Sequence, residues 1–164
     1  MSDYMAGEIS IGGTLKRRHV RKLCEAISDQ GVQTKSTGAT YRPARASDLL
    51  SARNNQGHLV LEHAELPYGI FSPLETVLQR LGLAYERTSN ARYEHDGLYL
   101  FYRPGMTAPE VRYATQDGKL LVSGADVKFA LALVRKGAVA RAEKLLAKVT
   151  CEDLGPLPPV TIAP

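Results

Sequence analysis

The chain has 164 residues, 44% of them hydrophobic, which is enough for one buried core and, by length, a single domain. Its longest apolar run, Phe129 to Val134, is far short of the roughly 20 residues a membrane-spanning helix needs. The formal charge is +4: residues 1–57 carry nine Lys/Arg against five Asp/Glu and residues 58–164 carry twelve against twelve, so the whole excess lies in the first third. Residues 1–7 show no basic stretch followed by an apolar one, so no secretory leader is expected and the cytoplasm is the expected compartment. Cys24 and Cys151 stand without CxxC or His/Cys spacing and read as unpaired thiols.

In chain order, Glu8 to Ile11 alternates polar and apolar residues and predicts a short strand ended by Gly12-Gly13. Thr14 is the expected N-cap of a helix whose apolar positions, Val20, Leu23, Cys24 and Ile27, follow i, i+3, i+4, i+7, with Gly31 as its stop. Residues 32–46 have no sustained period and predict an irregular connection, with one or two helical turns beginning at Ser47-Asp48. After the turn Asn54-Asn55-Gln56-Gly57, His58 to Glu62 predicts a strand. Ser72 as N-cap, Pro73 at N1, Glu75 at N3 and Gly82 at the end bound the next helix.

Two hairpins are expected around Asp96-Gly97 and Asp117-Gly118, separated by the break Arg103-Pro104-Gly105. From Ala125 to Val149 the period is helical, and Gly137 divides it into two helices. Leu154 to Pro164 holds four prolines in eleven residues and predicts an extended or disordered tail. Together these elements give an α+β class: an antiparallel or mixed sheet with helices on one face, a ferredoxin-like variant plus a C-terminal helical pair, with one domain over 1–150 and a tail over 151–164.

The segment with most to say about function is Lys16, Arg17, Arg18, His19, Val20, Arg21, Lys22. It puts five permanent positive charges at a helix N-terminus, where the macrodipole makes each cation cost about 0.3 to 1 kcal/mol. These side chains, with the free N–H groups of a Gly12-Gly13-Thr14 turn, would suit a phosphate or carboxylate. A nucleic-acid backbone, an acidic protein and a small anion fit equally, and so does an ordinary solvated helix face. Tyr68 and Phe71, flanking Gly69 ahead of the next helix, either staple that helix or form an apolar anchor. Tyrosines and Phe101 between Tyr85 and Tyr113, interleaved with arginines, suit core packing better than base stacking, because the acids among them remove any net positive field.

His63 with Glu65 and His95 with Asp96 are the candidates for a small hydrolase-like pocket, but neither has metal-ligand spacing, and no nucleophile or cofactor motif accompanies them. No metal and no cofactor are therefore expected. Ala91 to Asp96, followed by Phe101-Tyr102-Arg103-Pro104-Gly105-Met106, resembles a segment of small uncharacterised proteins of bacterial plasmids and phages. That resemblance implies a mobile-element accessory protein that acts by binding, including binding to host defence complexes such as CRISPR effectors. The expected role is non-enzymatic: a basic helix engaging an acidic protein or nucleoprotein complex, with direct DNA or RNA binding as the alternative and oligomeric state open.

Overall fold

The computed structural model describes residues 4–35, 38–90, 97–115 and 119–164. Its central strand is β1 (Tyr4–Lys16), far longer than the expected four residues. Gly12-Gly13 does not end it. Met5, Ile9, Ile11 and Leu15 all point to the core, so the two-residue alternation keeps its phase through the glycines. The reason glycine is needed at position 12 is contact, not turning: a Cβ there would stand 2.0 Å from the Pro158 carbonyl oxygen of the chain crossing above.

A 3-10 turn, Arg17–His19, follows β1 directly and leads into α1 (Val20–Gln30). Thr14 therefore lies within the strand and caps nothing. The buried face of α1 is the expected one, Val20, Leu23, Cys24 and Ile27, and Gly31 ends it in the left-handed conformation. After β2 (Gln33–Thr34), α2 (Ala46–Ser51) begins where Asp48 accepts the Ala44 N–H at 2.9 Å and the Arg45 N–H at 3.2 Å. β3 (Leu59–Pro67) outlasts its expected end by five residues, and α3 (Ser72–Leu81) starts as expected except that Phe71 holds the N-cap position and Glu75 accepts its N–H at 3.1 Å.

The sheet continues through β4 (Ala84–Ser89), β5 (Gly97–Tyr102) and β6 (Glu110–Ala114). Residues 91–96 and 116–118, where Asp96 and Asp117-Gly118 of the two expected turns and half of the plasmid-like segment fall, lie outside the described residues. The expected first arm of the first hairpin, residues 92–95, lies outside the described residues; its second arm is β5, which pairs with β4, a strand not expected from the sequence, and with β6. The second hairpin is reduced to a bridge between Ala114 and Leu120. Two helices separated at Gly137, α4 (Gly124–Arg135) and α5 (Val139–Thr150), complete the helical set.

The strand order is β2-β3-β1-β4-β5-β6, all antiparallel. Its first four strands, with α1 leading into β2 and α3 into β4, have the ferredoxin-like split β-α-β arrangement, and β5 and β6 extend that sheet. The tail opens with a 3-10 turn, Glu152–Leu154, and then runs extended and ordered into the fold. Its proline-free end forms β7 (Val160–Ala163), parallel to residues 13–16 of β1, which makes the sheet mixed.

The core lies between one sheet face and the helices α1 and α3. Ile9, Ile11, Leu59, Leu61 and Tyr85 meet Leu23, Ile27, Leu74 and Leu78, all nearly inaccessible to solvent. On the opposite sheet face residues 155–159 run across as a strap, and the C-terminal end of α5 meets β6, where Arg112 donates to the Lys148 carbonyl at 3.0 Å.

Candidate functional site

The five cations are set on the surface by the residues between them. Val20, Leu23 and Cys24 are held in the core, so α1 cannot rotate, and Arg18, Arg21 and Lys22 project outward with Lys16 and Arg17 beside them. Among the described residues only Arg21 of these five is ion-paired, with Glu25 at 2.7 Å, and its side chain is 89% exposed. No acidic residue occupies the first turn of α1, and no side chain caps it. The cluster thus sits at the positive end of the helix, where the dipole disfavours it.

The anion cradle expected from a Gly-Gly-Thr turn is not there, because those residues are in the ladder. Gly12 pairs with Ala84, the Gly13 N–H donates to the Pro159 carbonyl at 3.2 Å, and the Thr14 and Thr161 hydroxyls meet at 3.0 Å. Tertiary contacts instead enlarge the positive surface. Tyr41 packs against the core and donates to the Asp48 carbonyl at 2.8 Å, holding α2 close to Cys24 of α1. Arg42 and Arg45, both exposed, lie on the segment leading into α2, and Arg45 is ion-paired with Asp48 at 3.3 Å. Arg53 at the far end of α2 donates to the Val160 carbonyl of β7 at 2.9 Å, and Arg80 closes α3 at the same end of the sheet, since β4 begins opposite Gly12. The segment between 32 and 46, which shows no pattern in sequence, is what carries Arg42 and Arg45.

Tyr68 and Phe71 have separate fates. Phe71 is buried over Gly7, whose missing Cβ would stand 2.9 Å from its ring, so it takes the stapling role and is not part of a contact surface. Tyr68 is 44% exposed on a tight turn, with φ of 53° at Tyr68 and 64° at Gly69. A positive φ at a tyrosine is strained and persists only where its surroundings enforce it. Here a buried ion pair does so: Glu75 binds the Phe71 N–H and lies 2.9 Å from Arg87, whose other nitrogen donates to the Gly69 carbonyl at 2.9 Å.

Tyr68 is not at the edge of the basic cluster. It follows Pro67, which is opposite Tyr4, while Lys16 is at the other end of the same strand. Twelve residues at about 3.3 Å each put roughly 40 Å between them.

The strapped sheet face holds a cleft of about 530 Å³ floored by Glu8, Ser10, Val60 and Tyr99. His58 donates from Nε2 to the Leu157 carbonyl at 2.9 Å, which fixes the strap and the tautomer together. Its charged groups are mutually satisfied. Lys35 lies 2.9 Å from Glu8 and 3.8 Å from Glu62, and the hydrogen bond to Glu8 raises its pKa, so it stays protonated and supplies no base. Arg103 pairs with Glu86 and also donates to the Gly155 carbonyl of the strap at 3.1 Å. Aromatic residues divide by strand alternation: Tyr85 and Tyr102 stack in the core at 5.4 Å, and Tyr99 and Phe101 stack on the cleft side at 4.9 Å.

His63 lies on β3, where its Nδ1 accepts the N–H of exposed Glu65 at 3.1 Å. His95 and Asp96, its expected companions, lie outside the described residues. Among the described residues no three His, Cys, Asp or Glu side chains come together, and no helix is long and apolar enough to cross a membrane. No protein-family model, curated protein or solved structure matches the chain.

Proposed function

We propose that the protein is a non-enzymatic binding protein that docks an acidic protein or nucleoprotein surface on the cationic end of α1. The supporting observation is the outward, largely unpaired set Lys16, Arg17, Arg18 and Lys22 at the positive end of a helix that the core holds rigidly. Like charges gathered against a helix dipole lower local stability, and a partner carrying negative charge removes that cost on binding. Exposed Arg42 adds to the same field. The likeness of residues 91–96 and 101–106 to plasmid and phage proteins extends the reading to an accessory protein of a mobile element that blocks a host defence complex.

The test is affinity capture from the native host with wild type and with the combined Arg18→Glu, Arg21→Glu and Lys22→Glu variant. Exposed substitutions of this kind change stability by only about 0.5 kcal/mol, so the thermal midpoint should stay close to wild type while partner capture is lost. Undiminished capture by the variant refutes the proposal. DNA and RNA oligomers are titrated in parallel, because a linear fall of log affinity with log salt would make nucleic acid the direct ligand.

A further inference from the structure

The helical pair at the C-terminal end is exposed in a way its sequence does not suit. Of α4 only Ala130 is buried, and of α5 only Ala142. Those two alanines mark the seam where the helices, joined by residues 136–138, pack antiparallel on one another. Val127, Leu131 and Val134 are 46% to 50% exposed. At 3.6 residues per turn they share one sector of about 60°, roughly a quarter turn from Ala130. On α5, Val139 and Leu146 are 48% and 38% exposed and are displaced from Ala142 in the same rotational sense. In an antiparallel pair the same sense of rotation leads to the same side of the seam. The five side chains therefore form one apolar face on the helical hairpin.

We infer that this face is the contact between two copies of the chain, which pair their α4–α5 hairpins into a four-helix bundle. Charge placement favours a second copy. Arg141, Lys144 and Lys148, the basic side of α5, lie on the reverse of the hairpin and are kept apart by the pairing. The face itself is edged by Lys128 and Arg135 along α4 and by Glu143 along α5. A two-fold axis that lays α4 on the partner's α5 brings those opposite charges together at both edges. Area agrees: five half-exposed aliphatic side chains leave about 380 Å² bare, and their charged edges raise the face to roughly 700 to 800 Å², the share one subunit contributes to a standard stable interface.

The experiment is sedimentation equilibrium of the full chain over about 1 to 100 μM, a range that includes the weaker interfaces of this size. Wild type is expected at twice the 17.9 kDa chain mass. Leu131→Glu combined with Val134→Glu should give a monomer with an unchanged circular dichroism spectrum, and Lys144→Glu, on the reverse side, should remain a dimer. If the double variant loses its fold, Glu143→Arg answers instead, with a dissociation constant raised about tenfold. A wild-type monomer throughout the range, a dimer that survives the double variant, or an unchanged constant in Glu143→Arg overturns the inference. Dimerisation is read without any partner, so its failure is distinct from failure of the basic end of α1 as a docking surface.

Discussion

Replacing Glu75 by alanine removes, among the described residues, the one carboxylate paired with a nearly buried guanidinium: the Arg87 side chain is 4% exposed and that of Glu75 10%. Taking one partner from a buried ion pair costs about 3 to 5 kcal/mol, because the remaining charge is neither hydrated nor compensated. The Phe71 N–H loses its acceptor as well, adding about 1 kcal/mol. Against a domain stability of about 5 to 15 kcal/mol, this removes a large fraction of the total. Urea unfolding followed by circular dichroism gives the free energies. Glu75→Gln, which keeps an acceptor for the Phe71 N–H but no charge, should fall between wild type and alanine. Glu75→Leu combined with Arg87→Met should recover most of the loss, since an apolar pair of similar volume needs no compensation. A single Glu75→Ala cost below about 1 kcal/mol, or a double variant as unstable as the sum of its parts, would refute the role assigned to the pair.

Gly12→Ala should destabilise the protein by about 1 to 3 kcal/mol, as overpacking does, because its Cβ would meet the Pro158 carbonyl at 2.0 Å and displace the strap. Faster amide exchange at Gly13 and Val160, whose N–H groups donate to Pro159 and Gly57, should accompany it; a melting point equal to wild type would count against the strap. Burial raises the pKa of both Cys24 and Cys151, so at any given pH less thiolate is present in the folded protein than in the unfolded chain. Iodoacetamide at about pH 8 should label neither quickly until urea is added, and the native labelling rate should continue to climb at higher pH than for a free thiol. Rapid native labelling at neutral pH would contradict their burial.

Where a segment's local period was strong, sequence and structure agree. The buried stripe of α1, both ends of α3 to within one residue, and the division of the last helices at Gly137 follow from apolar spacing and from proline and glycine chemistry. The α+β class with a ferredoxin-like sheet was expected from strands alternating with helices, but β2 and β4, two of the four strands in that arrangement, were not among the expected elements. Gly12-Gly13 misled because a glycine pair has the same composition whether it turns the chain or lets another segment pass close by. Leu15 was the clue, since it keeps the alternation of Ile9 and Ile11 in phase across the pair. The tail's prolines argued correctly against a regular element through residues 155–159 and said nothing about the four proline-free residues that pair with β1.

For the candidate site, the sequence by itself determined the sign of the charge, its concentration before His58, and the outward direction of Arg18, Arg21 and Lys22, because these are properties of composition and of a 3.6-residue period. Only the tertiary structure decided what stands beside them. It held α2 close to Cys24 of α1 through Tyr41, put Tyr68 at the far end of a 13-residue strand, and buried Phe71 over Gly7. The physical reason is that periodicity fixes which side of an element a residue takes, while its neighbours are fixed by strand register and by which elements share the core, and both depend on residues far apart in the chain.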